Sequence, residues 1–300
     1  MSAPPRLTDR AALARNRARA ARGPGDALIL HDIAEAALQE RLNLVNRSFR
    51  APALVTGHPA RWAAVLPGAR VIADAPTLDL CPGAHDLIVH AMALHWADDP
   101  VGQLIQARRA LRPDGLFLAV FFGGETLGEL RAALARAEAE IAGGLAPRIA
   151  PMADVRDAGG LLQRAGYALP VADTDRVRLS YGDAWALMRD LRAMGEANAL
   201  IARHRAPPSR HLFRRAADIY RARFADPENP GRVRATFDLI WLTGWAPGPG
   251  QPQPLRPGSA RVRLADALGT TEFRPPDPPG RRLDLPRRDA NTGKAPKEPE

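Results

Sequence analysis

Between His85 and Gly124 the chain reads HDLIVHAMALHWADDPVGQLIQARRALRPDGLFLAVFFGG, an order of residues that few folds accommodate. The apolar run from Asp86 to His90 has the length and β-branched content of a buried strand. After a turn-like segment, His95 to Pro100, a helix starts with Asp99 as N-cap and Pro100 at its first position. Val101, Leu104, Ile105, Ala107 and Leu111 fall mostly at i, i+3 and i+4 and so share one helix face. Pro113, Asp114 and Gly115 stop that helix, and Gly115 to Phe122 is a second, wholly apolar strand. Strand, crossover helix and strand form a parallel βαβ unit whose sheet is covered on both faces.

The flanking sequence extends this unit in both directions. Upstream lie a basic helix from Leu7 to Arg22, a helix from Asp26 to Val45, a strand at Ala53 to Gly57, a helix at Ala60 to Leu66 and a strand at Arg70 to Asp74. Downstream, a long helix runs from Leu127 to Ile141, and a Pro-bearing loop leads into a helix at Val155 to Ala165 that Gly166 ends. A pair of strands follows, Leu169 to Asp175 and Arg176 to Tyr181. Next come a helix from Tyr181 ending near Gly195, a helix from Leu212 to Arg223, and a last, antiparallel strand from Ala235 to Thr243. From Ala246 the composition turns to Pro and Gly, with a short helix at Arg261 to Leu268; beyond Thr271 the chain is polar, Pro-rich and expected not to fold. The expected organisation is a basic helical segment (1–48), an α/β domain (49–245), a Pro/Gly-rich extension (246–270) and a disordered tail (271–300).

The formal net charge of +9 comes from arginine, since Lys294 and Lys297 are the only lysines. Without aromatic-interleaved basic motifs or zinc-finger spacing, that charge does not point to nucleic acid. The one cysteine, Cys81, excludes an internal disulfide framework and a cysteine-based zinc cage, and a reduced cytoplasm is the expected setting. His31, His58, His85 and His90 show no metal-ligand spacing, so no metal site is expected. No apolar run reaches the roughly eighteen residues of a membrane span. The basic start lacks the apolar core of a secretory signal.

The phrases DLIVHAMALHW, DDP and ARRALRPDGLFL resemble the second half of a class I S-adenosylmethionine-dependent methyltransferase. Within that superfamily, LHW and the later FGGETLGELR look like the group that holds biotin-pathway malonyl-carrier-protein methyltransferases and complex I assembly factor 5 proteins. The likeness to the second kind is the stronger, through YGDAWALMRDLRAMGEANAL from Tyr181 to Leu200. The resemblance implies a Rossmann-like, mostly parallel sheet with an antiparallel last strand and S-adenosylmethionine as cofactor. Two departures stand out. Where the superfamily carries an acidic residue and G-x-G-x-G, this chain has VTGHPARW, keeping only Gly57. Between Gly57 and Asp86 there is room for one strand instead of two.

Carried over by position, the cofactor-binding candidates are Thr56, Gly57, Asp74, Leu94 and His95. Asp74 matches either the aspartate that accepts from the adenine amine or the acid that holds the ribose hydroxyls. Asp79 reads either as a stand-in for the missing carboxylate or as a surface loop residue. His95, Tyr181 and Glu196 are catalytic candidates; Trp96, Arg192 and Asn198 are substrate-pocket candidates. His95 reads either as a general base, its pKa lying near working pH, or with Trp96 as a pocket wall. The basic first helix reads either as a lightly packed solvated helix or as a lid or partner-contacting arm. Three functions follow from the resemblance: methyl transfer to a protein or small-molecule acceptor, arginine hydroxylation on a NADH dehydrogenase (complex I) subunit during assembly, or a non-catalytic binding module.

Overall fold

The computed structural model describes residues 6–23, 28–206, 209–252 and 264–270. Contacts divide the chain into a unit spanning Met1–Gln251 and a second spanning Pro252–Glu300, whose described residues include one short helix, Leu264–Leu268. The expected tail from 271, and the residues 261–263 expected to begin that helix, lie outside the described residues.

The first unit is built on a six-stranded sheet: β1 (Pro52–Thr56), β2 (Arg70–Ala73), β3 (His85–Ala91), β4 (Leu111–Gly123), β5 (Ala168–Tyr181) and β6 (Val233–Trp245). The spatial order is β2-β1-β3-β4-β6-β5, with the first four strands parallel and β6 antiparallel to both its neighbours. This is the expected mostly parallel α/β sheet. Its helices are α1 (Arg10–Ala20), α2 (Ile29–Leu44), α3 (Pro59–Trp62), α4 (Pro100–Ala110), α5 (Gly128–Ala142), α6 (Val155–Ala165), α7 (Ala184–Ala193) and α8 (Arg210–Arg223). Among the described residues no helix is long and apolar enough to cross a membrane.

Period-two alternation sorts the apolar strand residues to two faces. Leu54, Leu87, Val89, Leu118, Val120 and Trp241 pack with residues of α2, α5, α7 and α8. Ala53, Val55, Ile88, Phe117, Phe121 and Leu242 pack with α4 and α6. Burial on both faces explains why β1, β3 and β4 read as continuous apolar runs.

Three boundaries differ from the sequence reading. Residues 168–181 form one strand instead of two. Asp175 and Arg176, which look like a turn, are satisfied laterally: Arg41 of α2 reaches Asp175, and Arg176 pairs with Asp238 on β6. The predicted helix at 60–66 shortens to the single turn α3. Pro113 to Gly115 lie within β4, where the register with β3 shifts and Asp114 takes a left-handed φ of 61°.

Asp238 shows how this half of the sheet is tied. It is buried and accepts from Arg176 Nε at 2.7 Å, Arg176 Nη2 at 2.9 Å and the Glu125 amide at 2.9 Å. The Arg176 charge holds its carboxyl below the usual range. Asp238→Ala leaves the Glu125 amide and the Arg176 guanidinium without their acceptor and is expected to cost about 1.5–3 kcal/mol. Urea unfolding should show this as a lower midpoint with an unchanged m-value.

Candidate functional site

In this sheet the chain leaves β1 toward β2 on one side and returns to β3 on the other. The strand order thus reverses between β1 and β3, where ligands of open α/β sheets bind at the carboxyl edge. Thr56 pairs in register with Ala73 on one side and Ala91 on the other. The next residues, Gly57, Asp74 and Met92, therefore stand side by side at that edge.

Gly57 and Asp74 come together, and α1 comes with them. Arg17 Nη1 lies 2.5 Å from Asp74 Oδ1, with the two side chains 10% and 7% exposed. Arg10 reaches the same oxygen at 3.3 Å and also donates to the Asp74 carbonyl. A Cβ on Gly57 would run into the Arg17 guanidinium. A cavity of about 610 Å³ opens beside them, lined in part by Ala18, Ala21, Leu28, Gly57 and His58. Thr56 is buried and its hydroxyl accepts from the His58 amide at 3.2 Å. His58 stacks edge-on against His31, whose Nδ1 accepts from Trp62 Nε1 at 2.9 Å. Burial holds both rings neutral, His31 at about 3. Asp79 pairs with Arg70 at 2.5 Å on the surface, 84% exposed.

Beyond β3, a single 3-10 turn, Leu94–Trp96, buries Leu94 in the core and turns His95 and Trp96 toward the segment after α7. That segment closes on Gly195, whose φ of +84° ends α7 with a Schellman-type pair, Gly195 N to Arg192 O and Glu196 N to Leu191 O. Glu196 Oε2 then accepts from Trp96 Nε1 at 2.8 Å and lies 3.1 Å from His95 Nε2. The two side chains of the His95–Glu196 pair are 3% and 6% exposed. Burial pushes the Glu196 carboxyl up, but His95, Arg17 and Trp96 together outweigh it and hold the group at about 2. Glu196 is thus an anion at neutral pH. His95 Nδ1 and Glu196 Oε1 are buried with no partner among the described residues.

The pair forms part of the wall of a cavity of about 370 Å³, to which Phe122, Leu130, Met188 and Phe237 give an apolar lining. Trp96, Arg192 and Asn198, the three substrate-pocket candidates, all line it. Asn198 is fixed by donating to the Pro147 carbonyl at 2.9 Å. Tyr181 does not line it. Its hydroxyl donates to Asp190 at 2.8 Å at the end of β5, and burial pushes its phenol up, away from acid–base work near neutral pH. The sequence reading did not single out Arg10 or Arg17. For Arg10 and Arg17 there was a signal, their spacing of seven, which puts both on one face of a helix.

The arrangement offers an imidazole oriented by a carboxylate, with one free ring nitrogen, beside an apolar chamber. A second carboxylate and a glycine lie at the neighbouring strand ends.

A family model described as a methyltransferase domain matches residues 23–119. The chain is 34% identical over 232 residues to the malonyl-[acyl-carrier protein] O-methyltransferase of Laribacter hongkongensis, covering 77% of this chain and 71% of that one. It is 36% identical over 211 residues to the human mitochondrial arginine-hydroxylase NDUFAF5, covering 70% of this chain and 60% of that one. Its counterpart in Dictyostelium discoideum is 39% identical over 188 residues, covering 63% and 43%. The chain thus spans less than two thirds of these hydroxylases. Among solved structures, phosphoethanolamine N-methyltransferase 2 of Haemonchus contortus, in complex with S-adenosyl-L-methionine, is 12% identical with a TM-score of 0.40, covering 71% and 52%.

Proposed function

Since the chain belongs to the class I S-adenosylmethionine-dependent methyltransferase superfamily, we propose that it binds that cofactor across Gly57 and Asp74 and modifies an acceptor held in the 370 Å³ chamber beside His95. The observation that carries this reading is the meeting of a glycine, a buried carboxylate and the His95–Glu196 pair at one edge of the sheet.

The residues present fit the cofactor chemically. Asp74, one residue past β2, is the acceptor that ribose hydroxyls or an adenine amine requires. Gly57 is bare where a backbone must be approached closely, although that space now holds the Arg17 guanidinium. Thr56, at the end of β1, and Leu94, packed in the core past β3, are buried and do not line the 610 Å³ cavity. When bound, S-adenosylmethionine supplies an electrophilic methyl group. The protein's share is to align the acceptor and to take its proton, and alignment is the larger part. An ionised Glu196 fixes the proton on His95 Nε2, leaving the Nδ1 lone pair free to accept one. Arg192 and Asn198 on the chamber wall are the polar groups that orient the acceptor.

Titration calorimetry with S-adenosylhomocysteine, on the wild type and on Arg17→Ala, tests the reading. One-site binding is expected, and at a hundredfold excess over Kd it adds about 2.7 kcal/mol. The unfolding midpoint then rises by roughly 5–10 °C. In the Arg17→Ala background, adding Asp74→Ala should weaken binding by about 1–3 kcal/mol. No binding to either protein at millimolar ligand overturns the cofactor reading.

The relatives named arginine hydroxylases favour a second reading: action on a NADH dehydrogenase subunit during complex I assembly, as a hydroxylase or as a binding module. Normal NADH dehydrogenase assembly in a strain lacking the gene would remove it.

A further inference from the structure

We propose that α1 is an internal occupant of the cofactor cleft: the Arg17 guanidinium, laid over Gly57 and paired with Asp74, fills space the S-adenosyl ligand needs, and α1 must withdraw before that ligand binds. This rests on the cofactor reading above.

Sterics carry the argument first. A single methyl group on Gly57 would collide with the guanidinium, so a ligand lying on that glycine and the Arg17 side chain cannot share the volume. Charge carries it next. Asp74 is the carboxylate at this edge, and its Oδ1 is already shared between Arg17 and Arg10, two turns apart on one face of α1. Hydroxyls or an amine would have to displace both cations to use that oxygen.

Two observations distinguish this contact from a permanent structural ion pair. Arg17 Nε and Nη2 are buried with no partner among the described residues, so the guanidinium is desolvated but only partly satisfied. The helix that delivers it is also weakly held. Ala12, Leu13 and Asn16 are its only buried residues, and the remainder of its face is arginine and alanine. Polar ties do most of the anchoring. Asp9 meets Arg203 at 2.8 Å, Asn16 donates to the Ala197 carbonyl at 2.8 Å, and Thr8 donates to the Trp96 carbonyl at 3.0 Å. Its apolar contact is confined to one small cluster, in which Ala12 and Leu13 meet Trp96, Ala150, Ala199 and Leu200.

The same helix reaches the acceptor chamber. Asn16 and Arg19 line that chamber, and Gly195, next to Glu196, admits the Arg17 backbone so closely that a Cβ would lie 3.3 Å from Arg17 Cα. One movement of α1 thus clears the cofactor cleft and loosens a wall of the chamber.

Binding of S-adenosylhomocysteine to the full chain, wild type and Arg17→Ala, is measured by calorimetry. Amide hydrogen exchange of residues 10–20 is followed in the unmodified protein with and without the ligand. Affinity at least tenfold tighter in Arg17→Ala, with faster α1 exchange in the ligand-bound wild type, is the expected result. Equal affinities, or α1 exchange that is unchanged or slower on binding, overturn the plug and leave the cofactor reading standing. Weaker binding by Arg17→Ala overturns it too, by making Arg17 a contact of the ligand. No binding by either protein overturns the cofactor reading and the plug together.

Discussion

Replacing Glu196 by alanine is expected to cost about 2–4 kcal/mol, the scale for leaving two buried donors, the Trp96 and His95 N–H groups, without their charged acceptor. The substitution leaves the Trp96 indole N–H without its acceptor and takes away a carboxylate that faces His95 and feels the charge of Arg17. Glu196→Gln keeps an amide oxygen for Trp96 and should lose less. The charge itself has a separate signature in acid. Glu196 titrates at about 2 in the folded chain against an ordinary 4.5. A depressed carboxyl contributes stability that is fully present above its unfolded pKa and is lost as pH falls through the folded value. The window is therefore about 4.5 down to 2, and the loss on the order of 3 kcal/mol. Denaturant unfolding at pH 7, 5, 3.5 and 2.5 should give a steep acid limb for the wild type and a shallower one for Glu196→Gln. Parallel limbs would mean that Glu196 is not held as a buried anion.

That carboxylate also marks how far the sequence could be read. The βαβ unit was legible because β3 and β4 are covered on both faces, and complete burial writes itself as unbroken apolar runs bounded by Asp99-Pro100 and Gly123-Gly124. The shortened first half was legible by counting residues between Gly57 and Asp86. By contrast, β5 was split in two because Asp175 and Arg176 look like a turn, and their partners, Arg41 and Asp238, are remote in sequence. The site divides in the same way. His95, Trp96 and Glu196 stood out singly through a family-like phrase, but no periodicity links positions about a hundred residues apart. Their hydrogen bonds are a tertiary fact. Tyr181 was polar for a local reason, its bond to Asp190. The arginines of α1 were hidden by composition: in a chain whose positive charge is nearly all arginine, two that point inward look like those that do not.

The acceptor chamber makes the last large prediction. Phe237 is fully buried on β6, lies in the core cluster beneath α5 and α8, and lines the 370 Å³ chamber, its ring 6.0 Å from that of Phe122. Phe237→Ala removes this packing and is expected to cost about 3–5 kcal/mol, the range for large-to-small aromatic changes in cores. At roughly 2–4 °C per kcal/mol, the midpoint should fall by about 6–20 °C. Phe117→Ala should cost a similar amount, since Phe117 is equally buried against Tyr167 on the opposite face of the sheet. The two variants should part company when a small apolar ligand is added. The volume vacated by Phe237 joins a chamber that already exists, and an apolar void lined by Leu130, Met188 and Phe122 can take up a ring such as benzene. Thermal unfolding with and without benzene should therefore show recovery for Phe237→Ala that exceeds both Phe117→Ala and the wild type. Equal recovery in the two variants would mean that Phe237 is core packing and no part of the chamber floor, and the acceptor would then have to lie closer to Trp96 and Arg192.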